Sequence, residues 1–279
     1  MKFNFHKYHG AGKDFLLLDN REKQYENIDK YDLFLLCDRH FGVGADGVVL
    51  LNSNPEVDFS IQVYLPNGKE VAMSGAGGRC AVLFAHTLGV IKQQETTFLA
   101  HDGIHHAKLL EDNQVSLSMK DVTKVDFGYD TAVFDLGIPH CVKFTEYLGD
   151  ADMIKEGRKL RASDDFKETG VSLSYLEYGT QALEVRTYEM GVEDEVLSST
   201  AGAMVSAMVV SGNQSQHYSV PVKMKGGDIE VSFDKENQQT YRNILITGPT
   251  EKVFEGEITL KEKWRHRVSL YDKIVGLKT

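Results

Sequence analysis

Short segments in which apolar and polar residues alternate recur along most of the chain. Examples are FSIQVYL (59–65), ALEVRTYE (182–189) and DIEVSF (228–233), and DFLLLD (14–19) is a short continuous apolar run. Alternation of this kind, bounded by glycine and asparagine, is typical of β-strands. Apolar residues at helical spacing are fewer. They predict helices at residues 31–39, 77–88, 153–159 and 202–211. The pattern therefore predicts an α+β protein with more strand than helix.

One pattern occurs twice. The segments EVAMSGAGGRCAVLFAHTLG (70–89) and EVLSSTAGAMVSAMVVSG (195–212) each contain Glu-Val, then a serine, an Ala-Gly pair and an apolar helical run. Ser74 in the first copy corresponds to Ser199 in the second. Free backbone N–H groups at a helix N-terminus bind anions, so each turn is a candidate anion site. The alternative is that the glycines only allow a helix to pack tightly on a strand; two matched turns favour a site.

The repeat predicts two similar domains. We expect residues 1–120 to form the first domain and residues 121–254 to form the second. Residues 255–279 are expected to return to the first domain or to form a surface tail. A chain of 279 residues with 42% hydrophobic content can build two such cores. The two serine turns would then face each other across the domain interface.

Charge and cysteine content narrow the function. The net charge is −10 and the pI about 5.5, which argues against nucleic acid and anionic membranes as partners and favours a small ligand. Cys37, Cys80 and Cys141 are an odd number without metal-ligand spacing, which indicates reduced thiols and no metal site. No continuous apolar run approaches 18 residues. We therefore expect a cytoplasmic protein; a homodimer is an open alternative.

Seven motifs, in this order and spacing, resemble the diaminopimelate epimerase family. They are HGAGKDF (9–15), CDRHFGVGADGVVLL (37–51), NGKEVAMSGAGGRC (67–80), GIPHCVKF (137–144), RTYEMGVEDEVLSSTAG (186–202), KGGDIEVSF (225–233) and TGPTEKVFEGE (247–257). The resemblance implies two pseudo-symmetric α+β domains, each a mostly antiparallel sheet wrapped around a central helix. It further implies a substrate held between two helix N-termini and catalysis without cofactor or metal.

The resemblance also implies a pair of catalytic cysteines, one per domain, that remove and return the α-proton. In this chain Ser74 and Ser199 stand at those two positions, and Cys80 matches a non-catalytic cysteine. A thiol titrates near 8.5, whereas a serine hydroxyl stays protonated at working pH and needs a separate base. The serines therefore cannot take over the thiol chemistry by themselves.

The residues that would hold the substrate differ as well. Lys13, Leu65 and Ile138 stand where the family pattern has asparagine, and Met190 stands where it has arginine. A pocket lined in this way cannot hold a second zwitterionic head group without leaving charge unpaired. We therefore expect no interconversion of diaminopimelate stereoisomers, and a ligand with one carboxylate and an apolar or aromatic remainder. The expected substrate-binding residues are Lys13, Asp14, Leu65, Gly75, Ala76, Gly77, Ile138, Met190, Thr200, Ala201 and Gly202.

His140 and Glu189 lie where the family places polar partners of its thiols. A histidine titrates near neutrality, and a carboxylate in a closed apolar cleft can be raised toward it, so they are the expected acid–base pair. The structural alternative is a buried histidine and a strand-end carboxylate, each bonded to nearby backbone. Asp14 is a further polar candidate, although an aspartate in a turn often caps it. The other clustered ionisable residues are expected to be solvated: His101, His105, His106, Glu193, Asp194 and Glu195.

Two functions follow from these residues. The first is a cofactor-independent isomerase that uses Glu189 and His140 for proton transfer on a small carboxylate or amino-acid-derived ligand, while Ser74 and Ser199 bind it. Phenazine-biosynthesis isomerases share the family's fold without the cysteine pair. The second is a catalytically silent relative that keeps the cleft or the surface for binding. The retained His140 and Glu189 favour the first function, and the changed serine and clamp positions favour the second.

Overall fold

The computed structural model describes residues 1–262 and 264. The chain divides into two compact units. Unit 1 contains Met1–Gly10, Asp14–Leu109 and the segment from Thr250 onward, and unit 2 contains Ala11–Lys13 and Leu110–Pro249. Residues 110–120, which the sequence analysis assigned to the first domain, belong to unit 2 because the strand Gln114–Ser118 pairs with the strand Tyr241–Pro249.

Unit 1 is a sheet with two helices. Its strands are β1 (Lys2–Gly10), β2 (Lys13–Asp19), β3 (Gly47–Asn52), β4 (Phe59–Tyr64), β5 (Glu70–Val71), β6 (Glu95–Ala100), β7 (Gly103–Leu109) and β18 (Glu251–Thr259), and its helices are α1 (Lys30–Cys37) and α2 (Gly75–Thr87). The strands pair in the order β18–β1–β2–β3–β4–β6–β7, and β5 pairs with β4. The pairs β2–β3 and β4–β6 are parallel.

Unit 2 repeats this plan. Its strands are β8 (Gln114–Ser118), β9 (Val125–Phe127), β10 (Thr131–Asp135), β11 (Pro139–Phe144), β12 (Ser172–Tyr178), β13 (Leu183–Glu189), β14 (Asp194–Val196), β15 (His217–Met224), β16 (Gly227–Lys235) and β17 (Tyr241–Pro249), and its helices are α3 (Met153–Arg161) and α4 (Thr200–Val210). The strands pair in the order β9–β10–β11–β12–β13–β15–β16–β17–β8, and β14 pairs with β13. The pairs β11–β12 and β13–β15 are parallel.

The two units connect equivalent strands in the same way. A first helix joins the first parallel pair in each unit, α1 between β2 and β3 and α3 between β11 and β12. A short strand and a second helix join the next parallel pair, through α2 in unit 1 and α4 in unit 2. The predicted α+β fold with two pseudo-symmetric domains is confirmed.

The second helix of each unit is its central core element. Every residue of α2 from Gly75 to Ala85 is buried, as is every residue of α4 from Gly202 to Met208. Both helices begin two residues earlier than the apolar pattern predicted, because the serine before each run is the N-cap. None of the helices within residues 1–262 is both long and apolar enough to span a bilayer. Of the predicted C-terminal segment, residues 263 and 265–279 lie outside the described part of the chain.

Candidate active site

The two serines of the repeat cap the two central helices. Ser74 Oγ accepts a hydrogen bond from the backbone N–H of Gly77 at 3.4 Å, and Ser199 Oγ accepts one from Gly202 at 3.1 Å. Each serine has extended backbone angles, as an N-cap requires. Since the oxygen accepts from its own helix, each hydroxyl keeps its hydrogen to donate outward. That the two turns face one another stays a prediction.

The turn before α2 is fixed by an aspartate from the β6–β7 connection. Asp102 Oδ1 accepts a hydrogen bond from the backbone N–H of Met73 at 3.1 Å and lies 3.2 Å from His105 Nε2. His105 is 3% exposed and stacks on Phe98 with ring centroids 5.5 Å apart. The expectation that His105 is a solvated group was wrong, because its alternate position on β7 faces the core.

The predicted acidic run is only partly solvated. Glu193 accepts hydrogen bonds from Tyr188 at 2.6 Å and Arg161 at 3.0 Å. Glu195 pairs with Arg186 at 2.7 Å and with Lys225 at 2.8 Å, and its side chain is 14% exposed. These carboxylates therefore hold unit 2 together, contrary to the expectation of solvated edge groups.

The turn before α4 rests on a row of hydrogen-bonded polar side chains. His140 Nε2 lies 2.9 Å from Ser174 Oγ, which lies 2.7 Å from Thr187 Oγ1. A Cβ atom on Gly202 would lie 2.4 Å from Thr187 Oγ1 and 2.6 Å from Ser174 Oγ. The glycine is therefore needed for the first turn of α4 to approach this row.

His140 is held neutral in this row. It is 3% exposed, and burial lowers the pKa of its imidazole from 6.5 to about 3. A neutral imidazole at physiological pH can orient the Ser174 and Thr187 hydroxyls, but it cannot supply a proton as an acid. The acid role predicted for His140 therefore does not fit its environment.

Glu189 lies at the end of β13, on the same strand face as Thr187, because strand side chains alternate. This face packs on the first turn of α4. Lys13 Nζ donates to Glu189 Oε1, and the two side chains are 16% and 22% exposed. Lys13 follows Ala11 and Gly12, which pack closely on Gly226. Lys13, predicted to bind substrate, is thus the partner of the predicted catalytic carboxylate.

Asp14 belongs to a separate ion cluster in unit 1. Arg39 donates to both its carboxylate oxygens at 2.8 and 3.0 Å, and Lys7 lies 2.8 Å away. Burial would raise the pKa of Asp14, but the hydrogen bonds from Arg39 and Lys7 outweigh it and hold that pKa below its usual range. Asp46 shares Arg39 at 2.9 Å. The described contacts of Asp14 are therefore those of a structural carboxylate.

The remaining predicted binding residues lie at strand ends and helix starts. Leu65 is half-buried in the turn after β4, and its N–H donates to Lys69 O at 3.0 Å. Ile138 is 48% exposed in the β10–β11 turn. Met190 follows Glu189, and its N–H donates to Ser172 Oγ at 3.1 Å. The first-turn residues lie in α2 and α4: Gly75, Ala76, Gly77, Thr200, Ala201 and Gly202.

Arg79 is a residue that the sequence analysis did not single out. It lies in α2, is 1% exposed, and burial lowers its pKa to about 10, so it stays charged near neutral pH. Among residues 1–262 and 264, no acceptor lies within hydrogen-bonding distance of its Nε or Nη1. The signal was present in the sequence, since Arg79 is the one charged residue in an otherwise apolar segment that follows three glycines.

No group of three or more histidine, cysteine or acidic side chains is arranged to hold a metal ion in the described ranges. Cys37, Cys80 and Cys141 are buried free thiols. Burial raises the pKa of Cys80 to about 12 and that of Cys141 to about 11. These thiols are therefore poor nucleophiles at neutral pH.

Sequence comparison points to one family. A sequence model described as "Diaminopimelate epimerase" matches residues 5–125. A diaminopimelate epimerase from Flavobacterium psychrophilum is 38% identical over 255 residues, which cover 91% of this chain and 99% of the relative. A second diaminopimelate epimerase, from Chlorobaculum tepidum, is 31% identical and covers 90% of this chain and 99% of its own length.

Solved structures share the fold at low identity. A PhzF-family phenazine biosynthesis protein from Bacillus anthracis superposes with a TM-score of 0.71 at 14% identity, covering 93% of this chain and all of that chain. A hydroxyproline epimerase from Agrobacterium vitis gives a TM-score of 0.63 at 14% identity, covering 92% and 91%. At such identities these structures establish the fold alone.

Proposed function

Because the chain belongs to the diaminopimelate epimerase family, whose fold is that of epimerase- and racemase-type isomerases, we propose that it is an isomerase that moves a proton on a small carboxylate ligand without a thiol pair. In this proposal it works without a cofactor and does not interconvert diaminopimelate stereoisomers. Because two relatives are named diaminopimelate epimerase, an assay of diaminopimelate epimerisation tests this proposal directly.

The observation that carries the proposal is the chemistry at the two helix starts. Ser74 Oγ and Ser199 Oγ each accept a backbone N–H from their own helix. A hydroxyl in this arrangement donates its hydrogen to a ligand oxygen, and it is far too weak an acid to serve as a proton carrier at neutral pH. The serines therefore bind, and proton transfer needs another group.

Glu189 is that group in our proposal. It is partly exposed, it lies on the strand face that packs on the start of α4, and Lys13 contacts it. A carboxylate can act as a proton acceptor, and the hydrogen bond from Lys13 fixes its position at the end of β13. His140 supports α4 through Ser174 and Thr187 as a neutral group, and the acid–base role that the sequence suggested for it passes to Glu189.

A single carboxylate base favours an isomerisation in which one group removes and returns the proton. A racemase needs proton donors on both faces of the reacting carbon, which the family pattern places on two cysteines. The proposed ligand carries one carboxylate, because Leu65, Ile138 and Met190 offer no side-chain charge to a second head group.

Two experiments test the proposal. We expect the gene to fail to rescue growth of a strain that lacks diaminopimelate epimerase; rescue would refute the claim about substrate. Small carboxylates that raise the melting temperature should then exchange a carbon-bound proton with solvent deuterium in the presence of the protein. If tight-binding carboxylates show no exchange, the chain is a binding protein, which is the second candidate function favoured by the serines at both cap positions.

A further inference from the structure

A cavity opens in unit 2 where strand β13 changes its neighbour. Glu184 is the last residue of β13 to pair with β15, and Thr187 is the first to pair with β14. Val185 and Arg186 lie between these pairings, and on this edge the described residues give them no cross-strand partner. The cavity at this gap has a volume of about 460 Å³. This volume lies in the range of small-molecule sites, roughly 300–1,000 Å³.

The cavity lies on the face of the sheet opposite α4. Side chains alternate along a strand, so Arg186, which lines the cavity, points away from the face that carries Glu189. Lys223 and Lys225, two residues apart at the end of β15, line it as well. The short helix Leu148–Asp150 contributes a further wall. The cavity is therefore distinct from the proposed proton-transfer site.

Hydrogen bonds among neighbouring residues hold the wall of the cavity in place. Arg186 donates to both carboxylate oxygens of Glu195, at 2.7 and 2.9 Å, and its Nη1 donates to Leu148 O and Ala151 O. Glu177 accepts a hydrogen bond from the N–H of Leu148 at 2.7 Å. The position of Arg186 is therefore fixed before any ligand binds.

The two lysines keep hydrogen-bond donors available. Lys225 Nζ lies 2.8 Å from Glu195 Oε1, an oxygen that Arg186 also contacts. Among the described residues, Lys223 forms an ion pair only with Glu184, whose oxygen is 3.7 Å away, too far for a hydrogen bond. An ammonium group has three donors, so most of the donors of both lysines remain for a ligand. The side chains of Lys225 and Lys223 are 48% and 59% exposed, so a ligand can reach both.

Unit 1 has the same gap without the three cations. On β4 the pairing also passes from β6 to β5, between Ser60 and Val63. Aligned by this register, the positions of the arginine and the two lysines are occupied in unit 1 by Gln62, Leu99 and His101. The fold therefore forms this gap without the cations, and their presence in unit 2 is not a requirement of the strand arrangement.

We propose that Arg186, Lys223 and Lys225 form a second binding site, whose ligand is a small phosphate monoester. A monoanion would gain little here, because Glu184 and Glu195 already lie beside the lysines. A phosphate dianion accepts from both ammonium groups at once, since the two lysine Cα atoms are about 7 Å apart on one strand face. The cavity is larger than a phosphate ion, so an organic group accompanies the phosphate. This inference goes beyond the proposed function and does not depend on it.

The test is a titration with glycerol 3-phosphate, followed through backbone amide signals by NMR at constant ionic strength. Glycerol and inorganic phosphate are the comparison ligands. Glycerol 3-phosphate should shift the amides of residues 184–186 and 223–225 with a dissociation constant below about 10 mM, and glycerol should not shift them. Inorganic phosphate should bind at the same amides at least about threefold more weakly. Equal or tighter binding of inorganic phosphate would contradict a monoester as the ligand.

Lys223→Gln and Lys225→Gln remove the two charges one at a time. Each should weaken binding of glycerol 3-phosphate at least about fivefold, as loss of a charged hydrogen-bond partner does. Both side chains are about half exposed, so the melting temperature should stay close to that of the wild type. If Lys225→Gln does not fold, Lys223→Gln carries the test, because that change breaks no hydrogen bond among the described residues. Lys225→Arg keeps the charge and should bind within about threefold of the wild type.

Lys124→Gln is the matched control. Lys124 belongs to the same unit, lies 3.5 Å from Asp135, and has a side chain that is 68% exposed. Its replacement makes the same charge change outside the cavity and should leave binding of glycerol 3-phosphate unaltered. The inference is wrong if all three glutamine variants lose affinity equally, or if the wild type shows no shifts at concentrations on the order of 50 mM. It is also wrong if acetate shifts the same amides as strongly as glycerol 3-phosphate does.

Discussion

Each unit has a serine-capped turn before its central helix, but the side chains next to that turn differ in charge and polarity. In unit 1 the cap Ser74 precedes a helix with the buried Arg79, whose Nε and Nη1 have no acceptor among the described residues. Asp102 fixes the backbone before this helix. In unit 2 the cap Ser199 precedes a helix with Met204 at the matching position, and the row from His140 to Thr187 supports it. A duplicated backbone therefore preserves the helix start while the side chains behind it diverge.

The two helix starts differ in the charged side chains nearby. In unit 1 the helix α2 carries the buried Arg79, whereas in unit 2 Glu189 lies on the strand face that packs on the start of α4. The backbone N–H groups are common to both helix starts. Any difference in the ligands that the two turns bind must therefore come from the neighbouring side chains. Substitutions at equivalent positions of the two units can therefore test the comparison directly.

The largest expected effect is the loss of proton transfer in Glu189→Gln. The amide keeps the shape but accepts no proton, so solvent deuterium incorporation into a bound carboxylate should fall about 10²–10⁴-fold. Glu184→Gln is the matched control, since Glu184 lies on the same strand and also adjoins a lysine, Lys223 at 3.7 Å. Unchanged deuterium incorporation in Glu189→Gln would show that another group is the base.

A smaller effect is expected in the pH dependence of stability. The pKa of His140 is lowered from 6.5 to about 3 by burial, so below pH 6.5 the unfolded chain binds a proton that the folded chain refuses. Stability should therefore fall as the pH drops from about 6.5 toward 3, with a contribution of a few kcal/mol. His140→Gln should remove this contribution, measured as a flatter dependence of the free energy of unfolding on pH.

A wild type and a His140→Gln variant with parallel curves between pH 7 and about pH 4.5 would contradict a buried, neutral His140. Urea unfolding at several pH values gives the comparison, because the difference between the two proteins cancels the carboxylates that titrate in the same range.

Whether a feature of the fold or the site could be predicted from the sequence depends on how far apart in the chain its interacting residues lie. The repeated serine turns and both central helices were predicted because the signal lies within a few residues. The contact of Lys13 with Glu189 joins positions 176 apart, so no local pattern contains it. Burial of His105 was missed because its neighbours His101 and His106 are polar, although alternation along β7 places it inward. That Arg79 Nε and Nη1 have no acceptor among the described residues depends on the groups around them in three dimensions, which the sequence does not show.

The next prediction compares Gly77 and Gly202, which occupy equivalent positions in α2 and α4. A Cβ atom on Gly202 would meet Thr187 Oγ1 at 2.4 Å, whereas one on Gly77 would meet only ordinary contacts of 3.4 Å with Phe15 and Ser74. Gly202→Ala should therefore destabilise the protein by about 1–3 kcal/mol. Gly77→Ala should be neutral or stabilising by up to about 1 kcal/mol, because alanine favours helix. Equal effects in urea unfolding would show that the two turns are packed alike.

The smallest effect concerns the caps themselves. Ser199→Ala and Ser74→Ala each remove one acceptor for a first-turn N–H, which costs about 1 kcal/mol. The loss should be larger at Ser199, because it is 2% exposed and its bond to Gly202 is shorter, at 3.1 Å against 3.4 Å. At the half-buried Ser74, water can replace the lost hydroxyl more easily. Urea unfolding of both variants, with Ser→Gly changes at each cap as controls that retain most of the cap stability, measures the difference. A larger loss of unfolding free energy in Ser74→Ala would show that the start of α2 depends on its cap more than burial alone explains.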